Sequence, residues 1–357
     1  MRILFFVEHF RSIGGAENLA VSVCKELSKR GHEIHVICKD GEEIDSIKTY
    51  KRFSNIKEIV KEIKPDLTFD WGLFERAHLS RLGGSIHKIF LEYSLFSYPL
   101  VLRPFKWISY KLGKHRKKIK HQEYVLSSKN TIYIAPSNFV KEHCLRYGLP
   151  ENRIRVIYNG VDLNRFFPPS NKQRVMERKK WDIGINEVVF LFVAHNLKLK
   201  NIALLKKVFD KLYKKYPFIK LLVTGKRRPR FDAPYLIYTG AIQDMHKIYW
   251  VADVLVHPSY FDTFGSVVLE AMASGIPAVV SSWAGASEIV EDSGIVLPVV
   301  GKDVSVLWMQ GLEKMLDKDL REKMGDNARK ISQKYEFISY VNKIEALFTE
   351  ALSTTPY

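Results

Sequence analysis

The fold of this chain is indicated first by residues 3–38, which read ILFFVEHFRSIGGAENLAVSVCKELSKRGHEIHVIC. An apolar run at 3–7 is followed by a glycine pair at 14–15 and then by apolar residues at helical spacing over 19–27. A second apolar run closes the segment at 34–38. This order predicts a β-α-β unit, whose right-handed crossover makes its two strands parallel members of one sheet.

The same alternation of strands and helices returns in the second half of the chain. Its members are strands at 188–194, 220–224, 236–238 and 254–257 and helices at 202–212 and 245–251. The proline-broken polar stretch 166–172 separates the two halves. We therefore expect two doubly wound, Rossmann-like α/β domains, residues 1–167 and 168–335, with a C-terminal helix at 336–357 completing the first. Because such sheets bind ligands beyond the carboxyl ends of their strands, we expect the domains to face each other across a cleft.

Composition excludes several classes of protein. Apolar residues make up 46% and charged residues 27% of the 357 residues, as in ordinary globular domains and unlike disordered or collagen-like chains. The net charge of +17 favours an anionic partner, such as nucleic acid, a phosphate-bearing small molecule or an acidic membrane surface. Cys24, Cys38 and Cys144 have neither zinc-ligand nor disulfide-framework spacing, which favours a reducing cytosol. The apolar runs at 3–7 and 93–102 are too short for a signal peptide and a membrane-spanning helix, respectively, so we expect a cytoplasmic protein.

The most informative motif is residues 254–277, which read VLVHPSYFDTFGSVVLEAMASGIP. An apolar strand ends at Pro258, a loop carries Asp262, and a helix begins near 264–266. The unpaired N–H groups of such a helix start carry about half a positive charge, which suits a phosphate group. Glu270 stands in an apolar helix, where its carboxylate needs hydrogen-bond donors, and vicinal sugar hydroxyls are suitable donors. Considered singly, each acid has an equally good structural explanation: Asp262 as a helix cap and Glu270 as an exposed helical acid.

Taken together, the spacing of Asp262 and Glu270, the alanine-rich helix and the Gly-Ile-Pro turn at 275–277 resemble the signature of the retaining glycosyltransferases of family 4. These enzymes have the GT-B architecture of two Rossmann-like domains, and the resemblance covers nearly the whole chain. It implies that Glu270 binds the ribose hydroxyls of a nucleoside diphosphate sugar. It also implies that Asp262, which stands where the family more often has glutamate, binds the donor sugar together with the backbone of 263–265.

Two further loops carry the same resemblance. Gly14 and Gly15 are similar to the family's first glycine loop, where bare backbone comes within hydrogen-bond reach of the donor diphosphate. Taken by itself, a glycine pair after a strand is more often an ordinary tight turn. In the loop HNLKLKN that follows the first strand of the second domain, Lys200 keeps the family's lysine. Leu199 and Asn201 replace the usual arginine and glycine.

Lys200 is the predicted catalytic cation, because a positioned lysine would neutralise charge on the departing diphosphate. The alternative is a solvated lysine in a lysine-rich neighbourhood. Lys198 and Arg227 are the candidates for the missing second charge. The donor-binding residues that the resemblance implies are Gly14, Gly15, Lys200, Asp262, Thr263, Phe264, Gly265 and Glu270. Because lysine and the helix start take the place of a metal in this family, no metal or other cofactor is expected, and the Asp-Lys-Asp sequence at 317–319 is interpreted as surface.

Residues 76–87, RAHLSRLGGSIH, resemble a stretch of the lipopolysaccharide-core glucosyltransferases within the family, where glycines precede a histidine. The resemblance implies that His87 or Ser85 contacts the reacting sugar. We therefore include His87 with Lys200 and Asp262 as the predicted catalytic residues. A histidine in a mixed segment is more often a plain hydrogen-bonding residue, and His87 is chosen for its matched position.

A basic segment runs from Arg103 to Lys120 and contains no acidic residue. Its cations are Arg103, Lys106, Lys111, Lys114, Arg116, Lys117, Lys118 and Lys120, with Phe105, Trp107, Ile108 and Tyr110 between them. Basic residues attract anionic lipid headgroups and aromatic side chains settle at headgroup depth, so we expect peripheral attachment to the inner face of the cytoplasmic membrane. Nucleic-acid binding is the competing use of the charge, but no recognised nucleic-acid-binding motif accompanies it, and a solvated helix is the structural alternative.

The functional expectation combines these observations. The chain is identified as a metal-independent retaining hexosyltransferase that moves glucose from a UDP-sugar to a glycan or glycolipid acceptor, with lipopolysaccharide core as the first choice. By resemblance, the departing phosphate oxygen takes the acceptor proton on the front face. Two alternatives remain open: a sugar-nucleotide 2-epimerase of the same architecture, and a non-catalytic module that binds nucleotide sugars or nucleic acid.

Overall fold

The computed structural model describes residues 1–12, 15–51 and 55–353. It divides the chain into two compact units. The first unit comprises Met1–Glu92, Val101–Gly160 and Ile338–Tyr357, and the second comprises Tyr93–Leu100 and Val161–Phe337.

This division differs from the expected boundary at 167 in two places. Residues 161–167 belong to the second unit, where Phe166 and Phe167 pack their rings on Tyr249 and Trp250 at centroid distances of 5.8 and 5.3 Å. The segment Tyr93–Leu100 also belongs to the second unit, although it is enclosed in sequence by residues of the first. The boundary between the two units therefore follows aromatic packing and not the proline-broken stretch.

The first unit contains a parallel sheet with helices between its strands. In chain order its elements are β1 (Arg2–Phe10), α1 (Gly15–Lys29), β2 (Glu33–Gly41), β3 (Ile47–Tyr50), α2 (Ile56–Ile63), β4 (Leu67–Asp70), β5 (Leu79–Arg81), α3 (His87–Ser94), α4 (Arg103–Tyr110), α5 (Gly113–Leu126), β6 (Ile132–Ala135), α6 (Asn138–Arg146) and β7 (Ile154–Val156). The strand order is β3-β2-β1-β4-β5-β6-β7, and every pairing is parallel. The β-α-β unit predicted from residues 3–38 is confirmed as β1, α1 and β2.

The second unit repeats this construction. Its elements are α7 (Asn171–Lys179), β8 (Val188–Val193), α8 (Ile202–Lys215), β9 (Ile219–Thr224), β10 (Leu236–Gly240), α9 (Met245–Val251), β11 (Val254–His257), α10 (Ser266–Ala273), β12 (Ala278–Ser281), β13 (Gly294–Leu297), α11 (Val304–Lys314) and α12 (Lys318–Ser332). After these come α13 (Phe337–Glu345) and α14 (Leu347–Leu352), which from Ile338 onward belong to the first unit. The six parallel strands are ordered β10-β9-β8-β11-β12-β13. Two doubly wound Rossmann-like domains, as the sequence predicts, are therefore present.

The strands of the second unit are apolar because both faces of the sheet are covered. β8 reads VVFLFV, and residues 188–192 of it are buried. Phe190 of this strand meets Phe209 of α8 edge to face at 5.4 Å, and Trp308 of α11 is fully buried in the same core. Continuous apolar runs of this kind are typical of parallel strands between two helical layers.

Strand order determines where a site can form in the second unit. Consecutive strands run outward from β8 through β9 to β10, and the chain then returns to place β11 on the other side of β8. Loops after two such strands diverge and leave a crevice at the carboxyl edge, which is the usual ligand position in open α/β sheets. The loops after β8 and β11 carry Lys200 and Asp262, respectively.

The helices of residues 1–12, 15–51 and 55–353 are short or carry many charged residues. None of them combines the length and the apolar composition needed to cross a bilayer.

Candidate functional site

The second unit brings together two of the predicted site residues. The Lys200 ammonium forms an ion pair with Oδ2 of Asp262, 62 positions away in sequence. The side chains are 18% and 19% exposed, so the pair is largely shielded from solvent but not fully buried. A backbone hydrogen bond from Tyr260 N–H to Leu199 O, at 3.0 Å, joins the two loops that carry them.

His257 is a third member of this cluster that the sequence analysis did not identify. It ends β11, its side chain is 1% exposed, and its Nε2 lies 3.0 Å from Oδ2 of Asp262. Burial and the nearby charge of Lys200 lower the pKa of His257, so the ring is neutral at pH 7 and donates Nε2–H to the carboxylate. A histidine that closes a buried strand five residues before the motif carboxylate was the available signal.

Asp262 is held in its charged form. Burial by itself would raise the pKa of Asp262, but the Lys200 charge and the His257 hydrogen bond outweigh it and hold the pKa well below its usual value. Gly265 is the N-cap of α10, and no side chain caps this helix start. Asp262 is thus committed to Lys200 and His257, and it does not act as the cap of α10.

Gly265 allows the loop to pack closely on this cluster. Its φ of +91° lies in the left-handed region that glycine adopts readily. A Cβ at this position would lie 3.3 Å from both Oδ2 of Asp262 and Nε2 of His257. The preceding residues are fixed by the loop after β12, because Gly285 N–H donates to Asp262 O at 3.0 Å and Ala286 N–H donates to Phe264 O at 2.6 Å.

Glu270 lies on α10 and is half-buried. Its Oε2 accepts a hydrogen bond from the hydroxyl of Tyr249 at 2.7 Å. Burial raises the pKa of Glu270, while this hydrogen bond and the charge of Arg165 act in the opposite direction. The residue is therefore a partly desolvated acceptor, in contrast to the exposed helical acid of the alternative explanation.

The loop after β8 shows why asparagine replaces the glycine of the family pattern. Asn201 has φ +63°, a left-handed conformation that asparagine tolerates better than most residues with a side chain. Its side chain also caps α8 by accepting from Leu204 N–H at 3.3 Å. Of the two candidates for the second charge, Arg227 is exposed after β9, and Lys198 places its ammonium 3.1 Å from the centroid of the Tyr98 ring.

The other predicted residues lie in the first unit or outside the described residues. Gly14 is outside the described residues, while Gly15 begins α1 with nothing within 4 Å of where a Cβ would stand. His87 begins α3 and places its Nε2 3.0 Å from Nδ1 of His115. Burial lowers the pKa of His87 to about 4, with smaller contributions from Lys118 and His115, so its ring is neutral at pH 7.

The acidic pair at 317–319 has a structural role in the second unit. Asp317 is exposed and caps α12 by accepting a hydrogen bond from Leu320 N–H at 3.1 Å. Within residues 1–12, 15–51 and 55–353, no group of three or more histidine, cysteine, aspartate or glutamate side chains is arranged to hold a metal ion.

Comparison with known proteins supports the same architecture. The structure of WaaG, a glycosyltransferase involved in lipopolysaccharide biosynthesis, superposes with a TM-score of 0.82 at 17% identity and covers 97% of this chain and 99% of its own. The structure of Anabaena Alr3699/HepE in complex with UDP-glucose gives a TM-score of 0.74 at 16% identity and covers 98% of this chain and 100% of its own. At these identities the likeness shows the fold.

Sequence comparisons add the family. An uncharacterized glycosyltransferase, MJ1607 of Methanocaldococcus jannaschii, is 31% identical over 239 residues, which cover 62% of this chain and 60% of that relative. The model described as Glycosyltransferase Family 4 matches residues 13–165, and the model described as Glycosyl transferases group 1 matches residues 174–331. With most of both units covered by these two models, the chain belongs to the family 4 glycosyltransferases of GT-B fold.

Proposed function

We propose that this protein is a retaining hexosyltransferase that moves glucose from a UDP-sugar donor to a glycan or glycolipid acceptor, with the core of lipopolysaccharide as the first acceptor to test. The observation that carries the proposal is the cluster of Lys200, Asp262 and His257 at the carboxyl edge between β8 and β11. Family membership supports the reaction class. The choice of donor is supported by the HepE structure in complex with UDP-glucose, and the choice of acceptor by the involvement of WaaG in lipopolysaccharide biosynthesis.

The proposed donor site uses groups that are already oriented in the second unit. Glu270 has one carboxylate oxygen engaged by Tyr249, and its other oxygen is assigned to the ribose hydroxyls. Asp262 and the backbone of Thr263, Phe264 and Gly265 are assigned to the donor sugar. Lys200 has three N–H donors, of which one serves Asp262, and the others are assigned to diphosphate oxygens.

Lys200 is also the proposed catalytic cation. As the bond between the anomeric carbon and the donor phosphate oxygen breaks, negative charge grows on the diphosphate, and a fixed ammonium stabilises it more than the ground state. The acceptor hydroxyl oxygen bonds to the anomeric carbon from the same face. Its proton goes to the departing phosphate oxygen, so atoms and charge balance without a protein nucleophile. In this proposal the lysine and the start of α10 do the electrostatic work, and no metal is required.

The first unit is assigned to the acceptor. His87 begins α3 and Ser85 lies two residues before it, and the neutral ring of His87 offers one donor and one acceptor nitrogen. One of these nitrogens faces His115. We therefore propose that His87 forms a hydrogen bond with a sugar hydroxyl, and not that it acts as a cationic acid.

Nucleotide release by the purified chain tests the proposal. The protein is incubated with UDP-, GDP- and ADP-sugars, with and without a lipopolysaccharide-core acceptor, in EDTA and in magnesium. We expect UDP release that depends on UDP-glucose and acceptor, persists in EDTA, and yields a product whose anomeric coupling by NMR matches that of the donor. Conversion of the sugar nucleotide without acceptor would indicate an epimerase, and binding without turnover would indicate a binding module. Either result would refute the proposal.

The basic segment 103–120 is proposed to attach the enzyme to the cytoplasmic face of an anionic membrane. It forms α4 and α5 in the first unit, where Phe105 and Ile108 of α4 are exposed by 71% and 59% at helical spacing. Val101, in the turn that precedes α4, is exposed by 75%. Exposed apolar side chains beside exposed lysines fit an interfacial helix better than a merely solvated one, and each near-surface cation contributes about 1 kcal/mol.

Cosedimentation with vesicles separates this surface from a nucleic-acid site. We expect binding to phosphatidylglycerol-containing vesicles, not to phosphatidylcholine vesicles, and we expect it to weaken with salt and on Phe105→Ser/Ile108→Ser substitution. A surface that binds duplex DNA more tightly than vesicles at equal ionic strength would contradict the assignment. Phe218→Ser, at a 42% exposed phenylalanine of the second unit, is the matched control.

A further inference from the structure

The segment Tyr93–Leu100, called here the aromatic segment, packs on the second unit through its rings. Tyr93 lies 5.2 Å from Phe261 and 4.8 Å from Trp283, measured between ring centroids. Phe96 lies 5.0 Å from Trp283, edge to face. Three aromatic pairs therefore attach this segment to loops of the second unit.

The loops that the aromatic segment contacts belong to the proposed donor site. Phe261 directly precedes Asp262 in sequence, and Trp283 O accepts the N–H of Asp262 at 3.1 Å. A parallel bridge between Asp262 and Ala284 reinforces this connection. The aromatic segment is thus built against the backbone that fixes the motif carboxylate.

The same segment also reaches the lysine loop. Lys198 places its Nζ 3.1 Å from the centroid of the Tyr98 ring, over the face where the π-electrons attract a cation. Lys198 and Lys200 share one tight turn, closed by Lys200 N–H to Asn196 O at 3.0 Å and Asn201 N–H to Lys198 O at 3.1 Å. By restraining Lys198, Tyr98 restrains the ammonium of a residue that stands two positions before Lys200 in sequence.

The negative charge of a donor diphosphate indicates a role for the contact between Lys198 and Tyr98. The charge of Lys200 is already partly offset by its ion pair with Asp262. A nucleoside diphosphate brings about two negative charges to the site, and phosphate oxygens bind most strongly to preoriented cations. The family resemblance implies an arginine at the position that Leu199 holds in this chain.

We propose that Tyr98 is a positioning residue that holds Lys198 as the second cation for the donor diphosphate, replacing the arginine that Leu199 displaces. The inference rests on the proposed function, because it assumes a diphosphate donor. In this proposal Arg227, which is exposed after β9, does not serve as the second cation. It also makes a segment from the first half of the sequence a component of donor binding in the second unit.

The test compares UDP binding by calorimetry and kcat/KM for UDP-glucose in a small set of full-length variants. Lys198→Ala is expected to weaken UDP binding about tenfold, since one charge-assisted contact is lost. Tyr98→Leu is expected to weaken it about two- to fivefold, which is the range for an exposed cation over an aromatic face. Tyr98→Phe keeps the ring face and is expected to bind UDP as the wild type does. Lys207→Ala removes an exposed lysine of α8 and controls for net charge.

The double variant distinguishes positioning from packing. If Tyr98 acts through Lys198, Lys198→Ala/Tyr98→Leu is no weaker than Lys198→Ala alone. Additive losses would show that Tyr98 supports the loop independently and would overturn the positioning role. Thermal unfolding checks each variant, and Tyr98→Phe with Lys198→Ala keeps the test decisive if Tyr98→Leu does not fold.

The outcomes separate this inference from the function on which it rests. UDP binding by Lys198→Ala that equals that of Lys207→Ala, in a wild-type protein that binds UDP and turns over, would overturn the inference and leave the proposed function intact. A wild-type chain that binds no nucleotide and releases none from any donor would refute the proposed function, and the inference with it.

Discussion

Replacing Lys200 by methionine removes the ammonium while keeping a side chain of similar length. The wild-type pair joins Lys200 to Asp262, with 18% and 19% of the side chains exposed. In the variant the carboxylate keeps the 3.0 Å contact with Nε2 of His257 but loses its full positive partner. The substitution therefore tests at once the electrostatics of the fold and the proposed chemistry.

Two magnitudes follow from this geometry. Breaking a fully buried ion pair from one side costs about 3–5 kcal/mol, and since about a fifth of each side chain is exposed here, we expect a loss of about 2–3 kcal/mol in the free energy of unfolding at pH 7. Removal of one preoriented cation from the departing charge is expected to lower kcat by about 10²- to 10³-fold. The KM for the acceptor should change little, because the acceptor is assigned to the other unit.

The loss of stability should depend on pH in a definite direction. The folded-state pKa of Asp262 is depressed below its unfolded value of about 3.9. The contribution of the charged pair is therefore fully present above about pH 4 and declines as the pH falls further, toward the folded-state pKa. The difference between wild type and Lys200→Met should shrink correspondingly below pH 4.

Urea unfolding at pH 7 and pH 3.5, together with steady-state kinetics at pH 7, measures these effects. Asp262→Asn supplies the control, because Lys200→Met/Asp262→Asn no longer leaves a buried charge without its ammonium. We expect the double variant to be less destabilised than the sum of the single variants. Additive losses, or a Lys200→Met enzyme with wild-type kcat, would refute the reasoning.

Three further predictions concern other parts of the two units. Glu270→Gln should weaken UDP binding about tenfold by calorimetry without changing kcat comparably, since a neutral amide accepts ribose hydroxyls less strongly than a carboxylate; equal binding would remove Glu270 from the donor site. Gly265→Ala should lower the free energy of unfolding by about 1–2 kcal/mol in urea, because its φ of +91° is strained for any residue with a Cβ; wild-type stability would contradict this. His87→Phe should reduce the loss in the free energy of unfolding as the pH falls from 7 to 5. The folded-state pKa of His87 is about 4, so its contribution to stability is complete above the unfolded value of about 6.5 and declines as the pH falls toward 4. An unchanged slope of the unfolding free energy between pH 7 and 5 would exclude that contribution.

Several features of the site were predictable from short stretches of sequence. Lys200 and Asp262 each follow an apolar strand, and position after a strand end already marks a ligand-binding edge in this kind of fold. Their direct ion pair was not predicted, because each residue was assigned separately to a different part of the donor. His257 was missed because a histidine at the end of an apolar run looks like a core residue until its neighbours in space are known.

Other features required the folded chain. The domain boundary follows the packing of Phe166 and Phe167 on α9 rather than the prolines that come after them. The aromatic segment belongs to the second unit because its rings pack on Phe261 and Trp283, which are far away in sequence. Side-chain packing between distant segments leaves no periodic signal in either of them.

The amino-acid sequence by itself determined the two parallel α/β domains, their glycine-punctuated loops and the carboxylate motif, since strand and helix periodicity and helix ends are set within windows of about 5–15 residues. Only the tertiary structure decided which loops meet. The placement of β11 beside β8 closes the cluster of Lys200, Asp262 and His257, and the docking of Tyr98 brings a ring to Lys198. Strand order and docking arise from burial of apolar surface over the whole domain, which no local window of sequence contains.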